Sequence, residues 1–219
     1  LKSERNWKKA LKYFPRNLRY ERLMLKHLAN RKGDYAGAFR KLPIKLRRLL
    51  IQAYQSYLFN EFLSKRLKEG ISLNEPQTGD YGVHIDSQGL PTGRFIQLTS
   101  TNVKEDLEED KIHIAIPLIG FKQSLSSGVQ GEIERKILKT EQVTPKDFLV
   151  SCMPELRAPG ELRPIISRTT DFSINGISDD SANAAKRKVI LSFMLNRSSY
   201  ATILLREFMK PKNLIKAGF

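Results

Sequence analysis

Residues 53–60 read Ala53-Tyr54-Gln55-Ser56-Tyr57-Leu58-Phe59-Asn60, in the middle of a helical pattern that runs from about Ile44 to Lys68. Leu46, Leu49, Leu50, Tyr54, Tyr57, Leu58 and Phe62 recur at spacings of three and four, so one face of that helix can enter a core. Gln55, Ser56 and Asn60 are threaded among the aromatics. A buried amide left without partners costs about 1–3 kcal/mol, so the helix is expected to pin neighbouring backbone in place.

Before this helix the pattern is helical and basic. Glu4 to Tyr13 and Arg16 or Asn17 to Ala29 read as two helices broken near Pro15, and Tyr35 to Lys41 as a short one ended before Pro43. Arg16, Arg19, Arg22 and Lys26 fall at spacings of three and four and can form one cationic ridge. Lys45, Arg47 and Arg48 occupy the first turns of the 44–68 helix, where cations oppose the helix dipole. Such a placement suits an anionic partner.

After Gly70 the texture changes. The turn-rich Asn74-Glu75-Pro76 and Gly79-Asp80 lead to expected strands at Tyr81–Ile85 and Arg94–Leu98. A short acidic helix is expected over Val103 to Glu109, then a half-buried strand on Ile112, Ile114 and Ile116 ending at Pro117. Glu132 to Lys139 reads as a helix, and Thr144-Pro145 opens another to about Val150. Residues 151–165, with Pro154, Pro159, Gly160 and Pro164, read as a linker. Beyond it Ile165 to Ile174 and Lys186 to Asn196 read as strands. The second is apolar on both faces, which predicts a central position in its sheet. Asn196 to Ser199 forms a corner into a helix from Tyr200 to Met209, stopped by Pro211. The fold class is therefore α+β.

The 219 residues carry a formal net charge of +15. It is regional: 19 Lys and Arg against 5 Asp and Glu in residues 1–70, 9 against 13 in 71–160, and 10 against 5 in 161–219. A basic surface of this kind fits a phosphate-backbone binder, the alternative being merely solvated basic faces. No apolar run approaches the roughly 18 residues of a membrane span. The single cysteine, Cys152, excludes an internal disulfide and fits a reducing compartment. A charged opening at Leu1, without an apolar signal core, is what a piece of a longer chain would show.

Several chemistries have no residues to carry them. His27, His84 and His113 fall in separate elements, and one cysteine cannot build a zinc site, so no metal is expected. Gly128-Val129-Gln130-Gly131 lacks the lysine and the preceding strand of a phosphate loop. Asp179-Asp180 reads as an exposed turn. The residues alone describe a basic α+β module that binds nucleic acid.

Three separated segments carry a resemblance. The octapeptide 53–60, the Asn74-Glu75-Pro76 turn with Gly79-Asp80, and Leu191-Ser192-Phe193-Met194-Leu195 running into Ser199-Tyr200-Ala201-Thr202 and Leu205-Arg206-Glu207 resemble, in order and spacing, the TruD family of tRNA pseudouridine synthases, most like its archaeal members. Pro15, Tyr20-Glu21-Arg22 and Pro154-Glu155-Leu156 with Gly160 also fit. The resemblance implies an enzyme that isomerises uridine to pseudouridine in tRNA, at uridine 13, with an aspartate nucleophile and neither cofactor nor metal. It also implies a flipped target nucleotide, and hence stacking side chains and a basic RNA channel. By the same resemblance, residues 1–160 are most of a family-specific insertion domain. Residues 161–219 are the C-terminal strands and helix of the catalytic sheet.

The family's nucleophile sits in a Lys-Asp-Arg/His motif upstream of an Asn-Tyr-Phe-Gly signature, and neither occurs here; Lys146-Asp147-Phe148 is followed by the wrong residues. No catalytic residue is therefore assigned within this chain. Tyr200 matches the aromatic that lines the family's pocket near the target base. Arg206 with Glu207 matches an Arg-Glu pair, and Arg163 falls where the family carries basic residues. The expected RNA-binding patch is Arg16, Arg19, Arg22, Lys26, Lys45, Arg47 and Arg48. The implied setting is a cytoplasmic, monomeric enzyme acting on tRNA and not at a membrane, with a non-catalytic RNA-binding module as the alternative.

Overall fold

The computed structural model describes residues 6–99, 106–107, 109–196 and 199–218. Helices α1 (Trp7–Tyr13), α2 (Arg19–Asn30), α3 (Tyr35–Arg40) and α4 (Ile44–Lys68) come first, followed by strands β1 (Tyr81–Ile85), β2 (Pro91–Gln97) and β3 (Ile112–Leu118). Then come α5 (Gly128–Glu141), 3-10 turns at Pro145–Leu149 and Pro154–Leu156, strands β4 (Glu161–Pro164), β5 (Thr169–Asp179) and β6 (Arg187–Leu195), and α6 (Ala201–Met209). The strands order as β2-β1-β3-β4 and, separately, β5-β6. The chain is α+β, as its residue patterns require.

Two compact units are formed. One contains Leu1–Ile71 and Ile116–Arg163, the other Ser72–Ala115 and Pro164–Phe219. This grouping differs from the expected division at 160/161, because residues 72–115 associate with the C-terminal segment.

In the first unit, local signals set the helix ends. The Asn6 side chain caps α1 by accepting from the Lys9 amide, and Asp34 caps α3 by accepting from the Gly37 amide at 2.8 Å. Helix α4 has its expected bounds, but its buried stripe is Gln55, Leu58, Phe59, Phe62 and Arg66. Leu49, Leu50 and Tyr57, expected in the core, are exposed. The face turns inward where polar groups find partners. Gln55 Nε2 donates to the Ile119 carbonyl at 2.6 Å, and the fully buried Arg66 donates to Gln130 Oε1 at 3.2 Å. Gln130 in turn donates to Glu134, which also accepts from the amide and hydroxyl of Ser126 at 2.8 Å each. This network fastens α4 to α5. Such a network stabilises only when every member is satisfied.

Residues 151–165 are not a bare linker. Met153, Leu156 and Ala158 are buried, and the segment carries a 3-10 turn and β4. Long-range bonds from Arg40 to the Cys152 carbonyl and from Arg48 to the Glu155 carbonyl hold it down.

In the second unit β1 pairs antiparallel with β2 and with β3, Tyr81 lying opposite both Gln97 and Ala115. Leu98, Ile112 and Ile114 form the core, with Ile96, Leu107 and Ile165 against them. Strand β3 is buried along nearly its whole length instead of half-buried. The expected acidic helix at 103–109 lies mostly outside the described residues. Strand β6 is not central: among the described residues it pairs with β5 alone. Ile174, Val189, Ile190 and Met194 stay exposed on that ribbon, Met194 at 61%.

Candidate nucleic-acid interface

Arg16, between α1 and α2, and Arg19 and Lys26 on α2 face solvent, and Lys45 is exposed at the start of α4. Arg22 is used differently. Its guanidinium donates to the carbonyls of Leu11 at 2.9 Å and Phe14 at 2.7 Å. These carbonyls at the α1 terminus have no amide of their own helix to accept from, and the arginine fills that role. Arg47 pairs with Glu155 at 2.6 Å and donates to the Leu42 carbonyl, while Arg48 bonds the Glu155 backbone. Glu155 is held below the ordinary carboxylate range, first by its backbone hydrogen bond and then by Arg47. Of the seven expected patch residues, Arg22, Arg47 and Arg48 thus have protein partners.

Arg163 belongs to β4, and its guanidinium lies 5.2 Å from the centroid of the Phe59 ring. A cation over an aromatic face is held by the ring quadrupole with its N–H donors still directed outward.

On the outer side of α4, the Tyr54 and Tyr57 rings stack at 6.0 Å, and both hydroxyls donate to Glu141, at 3.3 and 3.1 Å. The acceptor stabilises the protonated phenols. Burial first, and Glu141 second, pushes Tyr54 up; for Tyr57 the hydrogen bond to Glu141 comes first. Helical spacing put these tyrosines on the same face as the core residues and gave no signal for a carboxylate partner 84 residues away.

In the second unit Tyr200 is the N-cap residue of α6 and is 71% exposed, with no side-chain cap bond. The corner that presents it is braced at several points. Asn196 Nδ2 donates to the Gly89 carbonyl at 2.9 Å, the Ser167 and Ser199 hydroxyls meet at 2.5 Å, and Phe208 stacks on Phe172 at 5.2 Å. A tyrosine held out on a braced corner can stack on a base. Arg206 on α6 pairs with Glu207 at 3.6 Å. Tyr200 and Arg206 lie in one unit and Arg163 in the other. Among the described residues no cluster of His, Cys, Asp and Glu could hold a metal ion, and no helix is long and apolar enough to cross a membrane.

The family model of tRNA pseudouridine synthase D (TruD) matches residues 1–208. The chain belongs to the TruD family. Proteins named Probable tRNA pseudouridine synthase D show the same relation. That of Methanopyrus kandleri is 39% identical over 203 residues, covering 93% of this chain and 42% of its own length. That of Methanosarcina acetivorans is 38% identical over 215 residues, covering 96% and 48%. A crystal structure of a Methanosarcina mazei protein described as tRNA pseudouridine synthase D (TruD) matches with a TM-score of 0.82 at 35% identity, over 96% of this chain and 48% of that one. The chain thus spans about half the length of the TruD relatives it matches.

Proposed function

We propose that this chain is the part of a tRNA pseudouridine synthase that binds RNA and positions the base, within an enzyme that isomerises uridine to pseudouridine. Membership of the TruD family along residues 1–208 carries this reading and favours it over a non-catalytic RNA-binding module. Cleaving a glycosidic bond with an aspartate nucleophile requires that carboxylate to lie against the target sugar and base. The family motif for it is absent from this sequence, so the nucleophile belongs to the other half of the full-length protein.

The residues here then take the roles of holding and stacking. The exposed cations Arg16, Arg19, Lys26 and Lys45 neutralise tRNA phosphates, and Arg163 and Arg206 contact the substrate near its reactive nucleotide. Tyr200 stacks on the uridine or its neighbour once the base has left its helix. By the family resemblance, residues 1–160 supply most of the insertion domain and 161–219 the returning strands and helix of the catalytic sheet, with residues 72–115 forming one compact unit with 164–219. We take the enzyme to act in the cytoplasm, as a monomer, on uridine 13 of its tRNA substrate.

The test uses full-length protein and an unmodified tRNA transcript. Pseudouridine should form, and Tyr200→Ala should lower kcat roughly tenfold or more, the value of one base–aromatic stack, with little change in tRNA affinity or melting temperature. Absence of pseudouridine with the unsubstituted protein would contradict the reading. An equal loss of stability in Tyr200→Ala would reassign the tyrosine to the core.

A further inference from the structure

Phe59 is buried within the octapeptide, yet its ring carries Arg163. Among the described residues the Arg163 side chain makes that ring contact and neither a hydrogen bond nor an ion pair. Arg163 is half-buried, and its guanidinium is chemically unspent. Arg22, Arg40, Arg47, Arg48 and Arg66 of the same unit instead donate to protein oxygens, while Arg16 and Arg19 are exposed.

The mounting of Arg163 is stiff on both sides. Gln55, one helical turn before Phe59, bonds the Ile119 carbonyl. At the entry to β4, Gly160 has φ +82°, and a Cβ there would sit 2.7 Å from both the Gly120 amide nitrogen and the Leu118 carbonyl oxygen. Only glycine allows the two backbones to approach so closely. Pro164 after Arg163 restricts the arginine to extended backbone. The same helix face therefore holds the neighbouring backbone through Gln55 and the guanidinium through the Phe59 ring.

We infer that Phe59 is a positioning residue that holds the Arg163 guanidinium as a preformed clamp for an RNA phosphate, so that the octapeptide acts on substrate binding as well as on packing. A planar guanidinium with free donors matches two phosphate oxygens. The ring contact restricts the side chain before RNA arrives, so less of its freedom is lost on binding. The inference rests on the tRNA-binding reading above.

The experiment measures tRNA affinity of the full-length protein across a salt series, with pseudouridine formation and melting temperature recorded in parallel. Arg163→Ala should weaken binding roughly tenfold, the value of one charge-assisted hydrogen bond. It should also lower the salt slope by about 0.7–0.9, one phosphate contact. Phe59→Leu should lower the slope by the same amount, and the double variant should lose no more than either single one. Phe62→Leu, fully buried one turn further along α4, should lower the melting temperature and leave the slope intact. Should Phe59→Leu not fold, Arg163→Lys decides: it keeps the charge without the stacked plane and should bind nearly as weakly as Arg163→Ala. An unchanged slope in Arg163→Ala would overturn the clamp. Additive losses, a slope unaffected by Phe59→Leu, or wild-type binding by Arg163→Lys would overturn the positioning. Unsubstituted protein that neither binds tRNA nor forms pseudouridine would instead bring down the underlying reading.

Discussion

Helix α4 and the β5-β6 ribbon with α6 both mix apolar and polar residues, and they dispose of them in opposite ways. Around α4 the polar groups go inside and are satisfied there: Gln55 by the Ile119 carbonyl, Arg66 and Glu134 through Gln130 and Ser126. On β5-β6 and α6 many apolar side chains stay outside, with Ile174 60% and Met194 61% exposed, while Leu191, Phe193 and Leu195 are half-buried. The first region completes its own interior. The second displays more apolar surface than a two-stranded ribbon ordinarily leaves in water, in a chain about half the length of its relatives. Surface of that kind suits a sheet continued by the rest of the full-length protein.

The largest effect that can break this contrast lies in the α4–α5 network. Glu134→Ala strands the Ser126 amide and the Gln130 and Ser126 donors in a closed interior, and should cost about 3–5 kcal/mol in denaturant unfolding of the full-length protein. A cost below about 1 kcal/mol, the level of a typical surface change, would mean that the interior is not sealed.

A smaller effect separates structural from RNA-facing arginines. Arg22→Ala removes two bonds to the α1 terminus and should cost about 1–3 kcal/mol of stability with the salt slope of tRNA binding preserved. Arg19→Ala, fully outside, should do the reverse: stability within about 0.5 kcal/mol and a shallower slope. A shared response would erase the distinction.

The smallest is electrostatic. Asp34 is held below the ordinary carboxylate range, first by the hydrogen bond from His27 and next by the Gly37 amide. Because its folded value is depressed, the stabilisation is present above the unfolded value, near pH 4, and is lost as pH falls through the folded one. Asp34→Asn should therefore flatten the acid limb of the stability profile below about pH 4. An acid limb identical to that of the unsubstituted protein would show that the α2–α3 junction does not depend on this carboxylate.

The same contrast governs what the sequence made legible. Helix α4 and strand β1 were readable to their ends, because apolar periodicity and the Gly70 and Gly79-Asp80 punctuation are local. The Gln55 bond to backbone was foreseeable from a buried amide among aromatics. The roles of Arg22, Arg47 and Arg48 were not, since helical spacing gives a residue's face but not the distant carbonyl or carboxylate waiting there. Residues 151–165 show the same limit: proline content signals an irregular path, while Met153 and Leu156 are buried where arginines more than 100 residues earlier hold the segment. Strand β6 has the composition of a central strand, but within this chain β5 is its one partner among the described residues. Tyr200 was reached by resemblance, and the ring beneath Arg163 only by geometry.

On the proposed reading, this chain holds and positions tRNA while the nucleophile lies in the other half of the protein. That division is tested most directly by counting pseudouridine in a tRNA transcript after incubation with the 219-residue chain and, separately, with the full-length protein. Modification by the full-length protein and none by the 219 residues alone is the predicted result. Pseudouridine formed by the 219 residues alone would contradict it.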